Sequence, residues 1–196
     1  MRINPPESGR TQPFESGLSF TELQTAEELS AVAALAQHIW REYYVPLIGA
    51  AQVDYMLENF QSAAAMREQM ARGDEYFMIT RDGVLIGYLA VRVDRNEQSL
   101  FISKLYLQRE ARGSGSGRRA LQFIEALAQA RELQLLWLTV NKRNPAVRAY
   151  EQCGFAIAES IRIDIGAGFV MDDYRMEKRL TGTTAERTST HDGEIS

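Results

Sequence analysis

A single α/β domain with a mixed, mostly antiparallel central sheet is the fold class the sequence predicts, and three observations carry it. Two β-rich runs, 75–81 and 84–94, are joined by Asp82-Gly83 alone, a dipeptide suited to a two-residue hairpin between antiparallel strands. A glycine-rich turn at 113–117 separates an apolar strand-like run, SLFISKLYLQ, from a segment of helical period, and a second apolar run follows at 133–140. Strand, helix and strand in that order make a βαβ unit whose two strands are parallel neighbours. Finally, Leu29, Val32, Ala33, Leu35, Ala36, Ile39 and Trp40 recur on one face of a helix.

The elements follow in order. Residues 18–24 read as a first strand, and Thr25 with Glu28 forms a capping-box signature for a helix to about 44, broken by Pro46 and Gly49. Two shorter helices are expected at 50–60 and 62–72, with Gly73 as a stop. After the hairpin, 99–108 continues the meander. The segment 115–131 repeats apolar residues at Ala120, Leu121, Ile124, Leu127 and Ala128, as a helix packed on a sheet requires. A strand at 133–140, a helix at 144–153 ended by Gly154, and strands at 155–164 and 169–179 complete the unit. Residues 1–17 and 181–196 lack periodicity and are rich in Pro, Ser, Thr, Gly or charge, so both are expected to be flexible tails around a domain at 18–180.

Composition narrows the function classes. At 196 residues, with 45% apolar and 24% charged residues, the chain buries one sizeable core. A net charge of −4 provides no diffuse basic field for nucleic acid or anionic lipid and suits a cationic small molecule. The single cysteine, Cys153, excludes an intramolecular disulfide and a zinc site of paired cysteines; no metal is expected, and the setting reads as a reducing cytoplasm. No run approaches the ~20 apolar residues that span a bilayer.

In ARGSGSGRRA (111–120) three alternate glycines stand at the mouth of a helix, where free backbone N–H groups and the positive end of the dipole face an anion. Arg112, Arg118 and Arg119 add charge. The spacing is neither GxGxxG nor GxxxxGK[ST], which disfavours the dinucleotide and nucleoside-triphosphate cradles. A merely flexible loop with solvated arginines is the competing reading of this stretch taken alone.

Beyond the turn, Arg112-Gly113-Ser114-Gly115-Ser116-Gly117 after the strand resembles the [QR]xxGx[GA] pyrophosphate segment of the GCN5-related N-acetyltransferase (GNAT) superfamily. LTVNKRNPAVRAYEQCGF (138–155) resembles its second signature: Asn144, then Tyr150 six residues on, then Gly154-Phe155. The likeness spans roughly 18–180. WREYYVPLIGAAQVDYMLENFQS and DIGAGFVMDDYRMEK look similar to bacterial polyamine acetyltransferases of the spermidine/spermine type.

The resemblance implies the GNAT fold, with about seven strands and helices on both faces. It also implies transfer of an acetyl group from acetyl-CoA directly to a primary amine such as spermidine or spermine. Leu105, Tyr106 and Leu107 would hold the pantetheine by strand-like hydrogen bonds. Arg112, Gly113, Ser114, Gly115, Ser116, Gly117 and Arg118 would hold the pyrophosphate, and Asn144 would bond the cofactor near its pantetheine. Tyr150 is the expected general acid, since a phenol with a pKa of about 10 keeps its proton near neutrality. The substrate wall is expected to include Tyr44, Tyr55, Glu58, Asp172 and Asp173, with no single carboxylate marked as the base. Cys153 is the rival nucleophile, with His38 or the tail histidine as its partner. A protein lysine or N-terminal amine, or a non-catalytic CoA-binding role, are the alternative functions, and the likeness raises a homodimer through the late strands.

Overall fold

The computed structural model describes residues 17–180; apart from Gly17, the tails expected at 1–17 and 181–196 lie outside the described residues. A seven-stranded sheet has the order β1-β2-β3-β4-β5-β7-β6. Its strands are β1 (Leu18–Glu22), β2 (Glu75–Arg81), β3 (Val84–Asp94), β4 (Ser99–Leu107), β5 (Leu135–Asn141), β6 (Ala156–Gly166) and β7 (Phe169–Arg179). Only β4 and β5 pair in parallel, as the βαβ unit requires; every other pairing is antiparallel. The α-helices among the described residues are α1 (Ala26–Ile48), α2 (Ala50–Phe60), α3 (Ala63–Ala71), α4 (Ser116–Ala130) and α5 (Ala146–Gln152).

Strand alternation sends neighbouring side chains to opposite faces of the sheet, and each face has its own core. In β2, Phe77 and Ile79 join the cluster built on Ala120, Leu121, Ile124 and Ala128 of α4, whereas Tyr76 joins Leu29, Val32, Ala36 and Ile39 of α1. Burial on both faces is what keeps a sheet of this width folded.

Local chemistry accounts for the boundaries. Thr25 Oγ1 accepts from the Glu28 N–H and the Glu28 carboxylate accepts from the Thr25 N–H, closing the capping box that starts α1. Asp82 (φ 50°) and Gly83 (φ 79°) both take positive φ, the requirement of the I′ hairpin turn. The helix expected to stop near 44 continues through Pro46 to Ile48. Pro46 falls in the last turn, where little ladder is left to break, and Tyr44, Val45 and Ile48 gain burial against Val53, Met56 and Leu57 of α2. Gly49 (φ 86°) then ends the helix. A short 3-10 turn at Arg109–Ala111, not foreseen from the sequence, leads into the glycine segment.

One irregularity organises the site. Ala90 pairs with Lys104 but Val91 pairs with Ile102, so Ser103 is an extra residue on β4. Its hydroxyl donates to Asp74 Oδ1 at 2.9 Å. The bulge inverts the alternation of β4. Leu100 and Ile102 before it, and Leu105 and Leu107 after it, all pack against the α4-side core, which turns Lys104 and Tyr106 to the α1 side. Pairing of β4 with β5 also stops here, since the last parallel pair is Ile102 with Leu138.

Candidate active site

Beyond Ile102 and Leu138 the two central strands diverge, and the gap opens on a cavity of about 1170 Å³. On its β4 side the backbone after the bulge bonds β3 alone, so its other edge has no strand partner. At the end of β4 the chain enters the glycine segment. Gly113 (φ 71°) and Gly115 (φ 87°) hold left-handed conformations that a side chain strains, and a Cβ on either would point into open space. Gly115 is the N-cap of α4 and offers no side-chain acceptor, so first-turn N–H groups remain free for an anion.

The residues therefore fit a phosphate-bearing group attached to an amide chain. The segment supplies the N–H cradle, and the open edge of β4 supplies the strand-like groups. Arg118 and Arg119 line the cavity beside the cradle. Arg81 was not anticipated: it reaches from β2 to donate to Ser114 Oγ (2.9 Å) and Ser116 Oγ (2.5 Å), bringing another guanidinium behind the turn. Arginines at the end of a hairpin strand carry no marker in one dimension. Arg112 is differently engaged, donating to the Leu107 carbonyl (2.9 Å), pairing with Glu42 (2.9 Å) and stacking over Tyr43 (4.6 Å). Its side chain fastens α1 to the turn. Ser116 is buried against Arg81 and does not line the cavity, unlike Gly113, Ser114, Gly115 and Gly117.

The centre of the gap is aromatic. Trp40, Tyr43 and Tyr44 of α1 meet Tyr106 of β4, with Trp40 and Tyr44 stacked at 4.4 Å. Asn144 is buried in the β5–α5 turn; its Oδ1 accepts from Tyr43 Oη (2.9 Å) and the Ala146 N–H (2.9 Å), and its Nδ2 donates to Tyr44 Oη (3.3 Å). Tyr150 on α5 lines the cavity and its hydroxyl has no protein hydrogen-bond partner among the described residues. Burial, with Tyr43 and Cys153 adding to it, pushes its pKa up to about 12.

Asp173 also lines the gap, 5% exposed and opposite Asn141 in the β5–β7 ladder. Burial and the neighbouring Asp172 raise its pKa to about 6, against the opposing pull of Asn141 and Lys142. A carboxylate of that pKa is mostly ionised at neutrality and still takes a proton readily.

The structure thus brings Leu105, Tyr106, Leu107, Arg112, Arg118, Asn144, Tyr150, Tyr44 and Asp173 to one cavity. It does not bring Tyr55, Glu58 or Asp172 there. Tyr55 donates to the Ile165 carbonyl (2.5 Å) and packs on Phe169, tying α2 to the β6–β7 hairpin. Glu58 is exposed on α2, and Asp172, on the other face of β7, is paired with Lys142. Cys153 borders the cavity, but His38 is exposed on α1 and does not line it, and the tail histidine lies outside the described residues.

A parallel pair splayed beside a backbone anion cradle, with a phenol and a buried carboxylate lining the same gap, defines an acyltransferase that takes its acyl group from a CoA thioester. Residues 32–155 match the profile described as the Acetyltransferase (GNAT) family, and the chain belongs to that family, an N-acetyltransferase using acetyl-CoA. It is 27% identical over 157 residues to uncharacterized N-acetyltransferases of Mycobacterium bovis and Mycobacterium tuberculosis, covering 79% of this chain and 97% of theirs. The fold is similar to that of the PaiA N-acetyltransferase of Thermoplasma acidophilum, solved in complex with coenzyme A (TM-score 0.69, 18% identity, 83% of this chain and 99% of that one). It is also similar to the spermidine N-acetyltransferase of Vibrio cholerae, solved with CoA and spermine (TM-score 0.62, 18% identity, 84% and 96%). Another structure of that Vibrio enzyme is dodecameric. Among the described residues no helix is long and apolar enough to cross a membrane.

Proposed function

We propose that this N-acetyltransferase acts on a small-molecule primary amine, which attacks the thioester directly, with Asp173 as base and Tyr150 as donor to the sulfur. The single observation that carries this reading is the pairing of these two groups in one gap: a buried carboxylate with a raised pKa and a phenol with a free hydroxyl. Bound acetyl-CoA supplies the thioester. Gly113 to Gly117 would hold its pyrophosphate by backbone N–H groups, with Arg118 beside them. Leu105, Tyr106 and Leu107 would hold the amide arm, and Asn144 would orient the arm from the opposite wall.

The acceptor arrives as an ammonium, and Asp173 takes its proton at a carboxylate oxygen, freeing the lone pair. Tyr150 keeps its proton through the neutral range, being raised to about 12. A thiol titrates near 8.5, so complete transfer from that phenol to a thiolate is uphill by roughly 4–5 kcal/mol. Tyr150 therefore serves as a hydrogen-bond donor that stabilises charge as it develops on sulfur. Protons balance: one leaves the ammonium through Asp173, a second leaves the amine nitrogen as the amide forms, one ends on the thiol and one is released.

A polyamine is the acceptor suggested by the likeness to the Vibrio spermidine enzyme. Asp173 and the rings of Trp40, Tyr43 and Tyr44 are the features here that suit an alkylammonium. The test is thiol release from acetyl-CoA with diamines, polyamines, amino acids and lysine peptides. Tyr150→Phe is expected to lower kcat about 10²-fold with little change in the KM for acetyl-CoA; an unchanged kcat removes Tyr150 from the chemistry. Transfer to none of these acceptors would overturn the function.

Self-association through the late strands is proposed as well. β6 is an edge strand that leaves Ile157 (44%) and Ile163 (46%) exposed. Light scattering should return a multiple of the 22.1 kDa chain, and Ile163→Lys should return the monomer.

A further inference from the structure

The end of the cavity away from the glycine cradle holds a charge that the acetyl transfer does not use. Lys104 follows the Ser103 bulge, is 7% exposed, and lies on the cavity wall with its ammonium 5.5 Å from the Tyr76 ring. Among the described residues its one hydrogen-bond acceptor is Gln69 Oε1 at 2.7 Å, an oxygen that also accepts from Tyr76 Oη. Gln69 is itself oriented, its Nε2 donating to the Phe60 carbonyl at 3.2 Å. Among the described residues Lys104 makes no ion pair. The nearest acid in influence, Asp74, is already committed to Arg92 (3.4 Å) and the Ser103 hydroxyl (2.9 Å).

A buried cation with no ion pair among the described residues is costly, and burial lowers the Lys104 pKa to about 8, with Asp74 opposing the shift and Arg92 adding to it. The surroundings repeat the sign: Arg72 and Arg92 also line this end, against Asp74 as the acid there. From Tyr106, which faces the reaction centre, Lys104 is two residues deeper along β4, on the order of 6 Å by strand rise.

We infer that Lys104 is a specificity residue for the acceptor, whose anionic group, a carboxylate in the simplest case, sits against this ammonium while its amine faces Asp173. The acceptor is thus of amino-acid type, its two ends separated by a short carbon chain. A polyamine would instead set a second ammonium against Lys104. This inference rests on the amine-acetylation reading and narrows its acceptor.

Matched acceptors separate the two. The full chain is assayed by thiol release with 4-aminobutanoate and 6-aminohexanoate, with the corresponding ω-amino amides, and with 1,4-diaminobutane and spermidine. The carboxylates are expected to exceed their amides at least tenfold in kcat/KM, chiefly through KM. In Lys104→Met, which keeps the unbranched stem and removes the charge, that ratio should collapse toward one, and in Lys104→Arg it should be partly retained. Binding is read separately by calorimetry in the presence of CoA. The wild type should take up 6-aminohexanoate and Lys104→Met should not, with circular dichroism confirming that the variant is folded. Equal rates and equal binding for carboxylates and amides, or a loss in Lys104→Met that is the same for every acceptor, overturn the inference while leaving amine acetylation standing. Failure of every amine to react overturns the reading beneath it, and absence of carboxylate binding in that case overturns the inference too.

Discussion

Asp173→Asn is expected to lower kcat for amine acetylation by on the order of 10²–10³-fold at pH 7.5. The same substitution should leave the KM for acetyl-CoA nearly unchanged if Asp173 acts on the acceptor as proposed, since it lies on β7 and not in the glycine cradle. The wild-type rate should fall as pH drops through about 6, where the buried carboxylate takes up its proton, and the variant should lack that limb. Stability should move the other way. A folded-state pKa raised to about 6 means that the folded protein holds the neutral acid better than the unfolded chain does, so stability declines as pH rises from about 4 to about 6 and stays lower above. Asn carries no such charge. Thermal unfolding should therefore find the variant more stable than wild type by up to about 3 kcal/mol at pH 7.5, with the gap closed near pH 4. Asp172→Asn is the contrast: Asp172 is an exposed partner of Lys142 outside the cavity, so kcat at pH 7.5 should stay near wild type, while loss of its charge should move the acid limb to lower pH. A fully active Asp173→Asn enzyme would assign deprotonation of the amine to solvent.

The second large effect belongs to the cradle. Gly115→Val is expected to raise the Kd for CoA 10- to 100-fold, about 1.4–2.7 kcal/mol, as read by calorimetry. Two physical causes act together. The φ of 87° is one that a β-branched residue adopts only under strain, and the new side chain would project into the open space where phosphate oxygens meet the first turn of α4. Gly117→Ala is the informative contrast. Its φ is ordinary for an L residue, and the added Cβ would meet only Leu107 Cδ1 at 3.7 Å, ordinary contact distance, so a shift of less than about threefold is expected. If Gly115→Val bound CoA as well as wild type, the phosphates would have to lie elsewhere.

Most of the fold was legible because its decisive signals are local. Asp82-Gly83 needs only its own two dihedrals to specify a hairpin, and the alternate glycines mark a helix mouth without reference to anything distant. The motif residues Asn144 and Tyr150 came from the same kind of short-range pattern. What the chain did not reveal depends on register across strands. Asp172 and Asp173 are identical in sequence terms, and only the pairing of Asp173 with Asn141 turns one of them into the cavity. Tyr55 and Glu58 looked equivalent to Tyr44 as wall residues, yet Tyr55 is drawn away by the Ile165 carbonyl, more than a hundred residues along the chain. Lys104 had a visible signal, a lone cation inside the apolar run SLFISKLYLQ, but simple alternation puts it on the α4 face beside Leu100 and Ile102. The bulge at Ser103, held by an aspartate from another strand's approach, is what reverses it.

That bulge also bears on how the molecule deforms. Because β4 and β5 hold together only from Ser99–Leu135 to Ile102–Leu138, the sheet is mechanically two panels, β1–β4 and β5–β7, stitched along a short seam at one end and strapped by α4. A tilt of one panel about the seam would widen or narrow the mouth at the other end without breaking a ladder hydrogen bond within either panel. The seam ends at the cavity wall, at Ile102 and Leu138, so packing changes beneath its four residue pairs would be expected to alter the width of the mouth while leaving Asp173 and Tyr150 themselves unchanged.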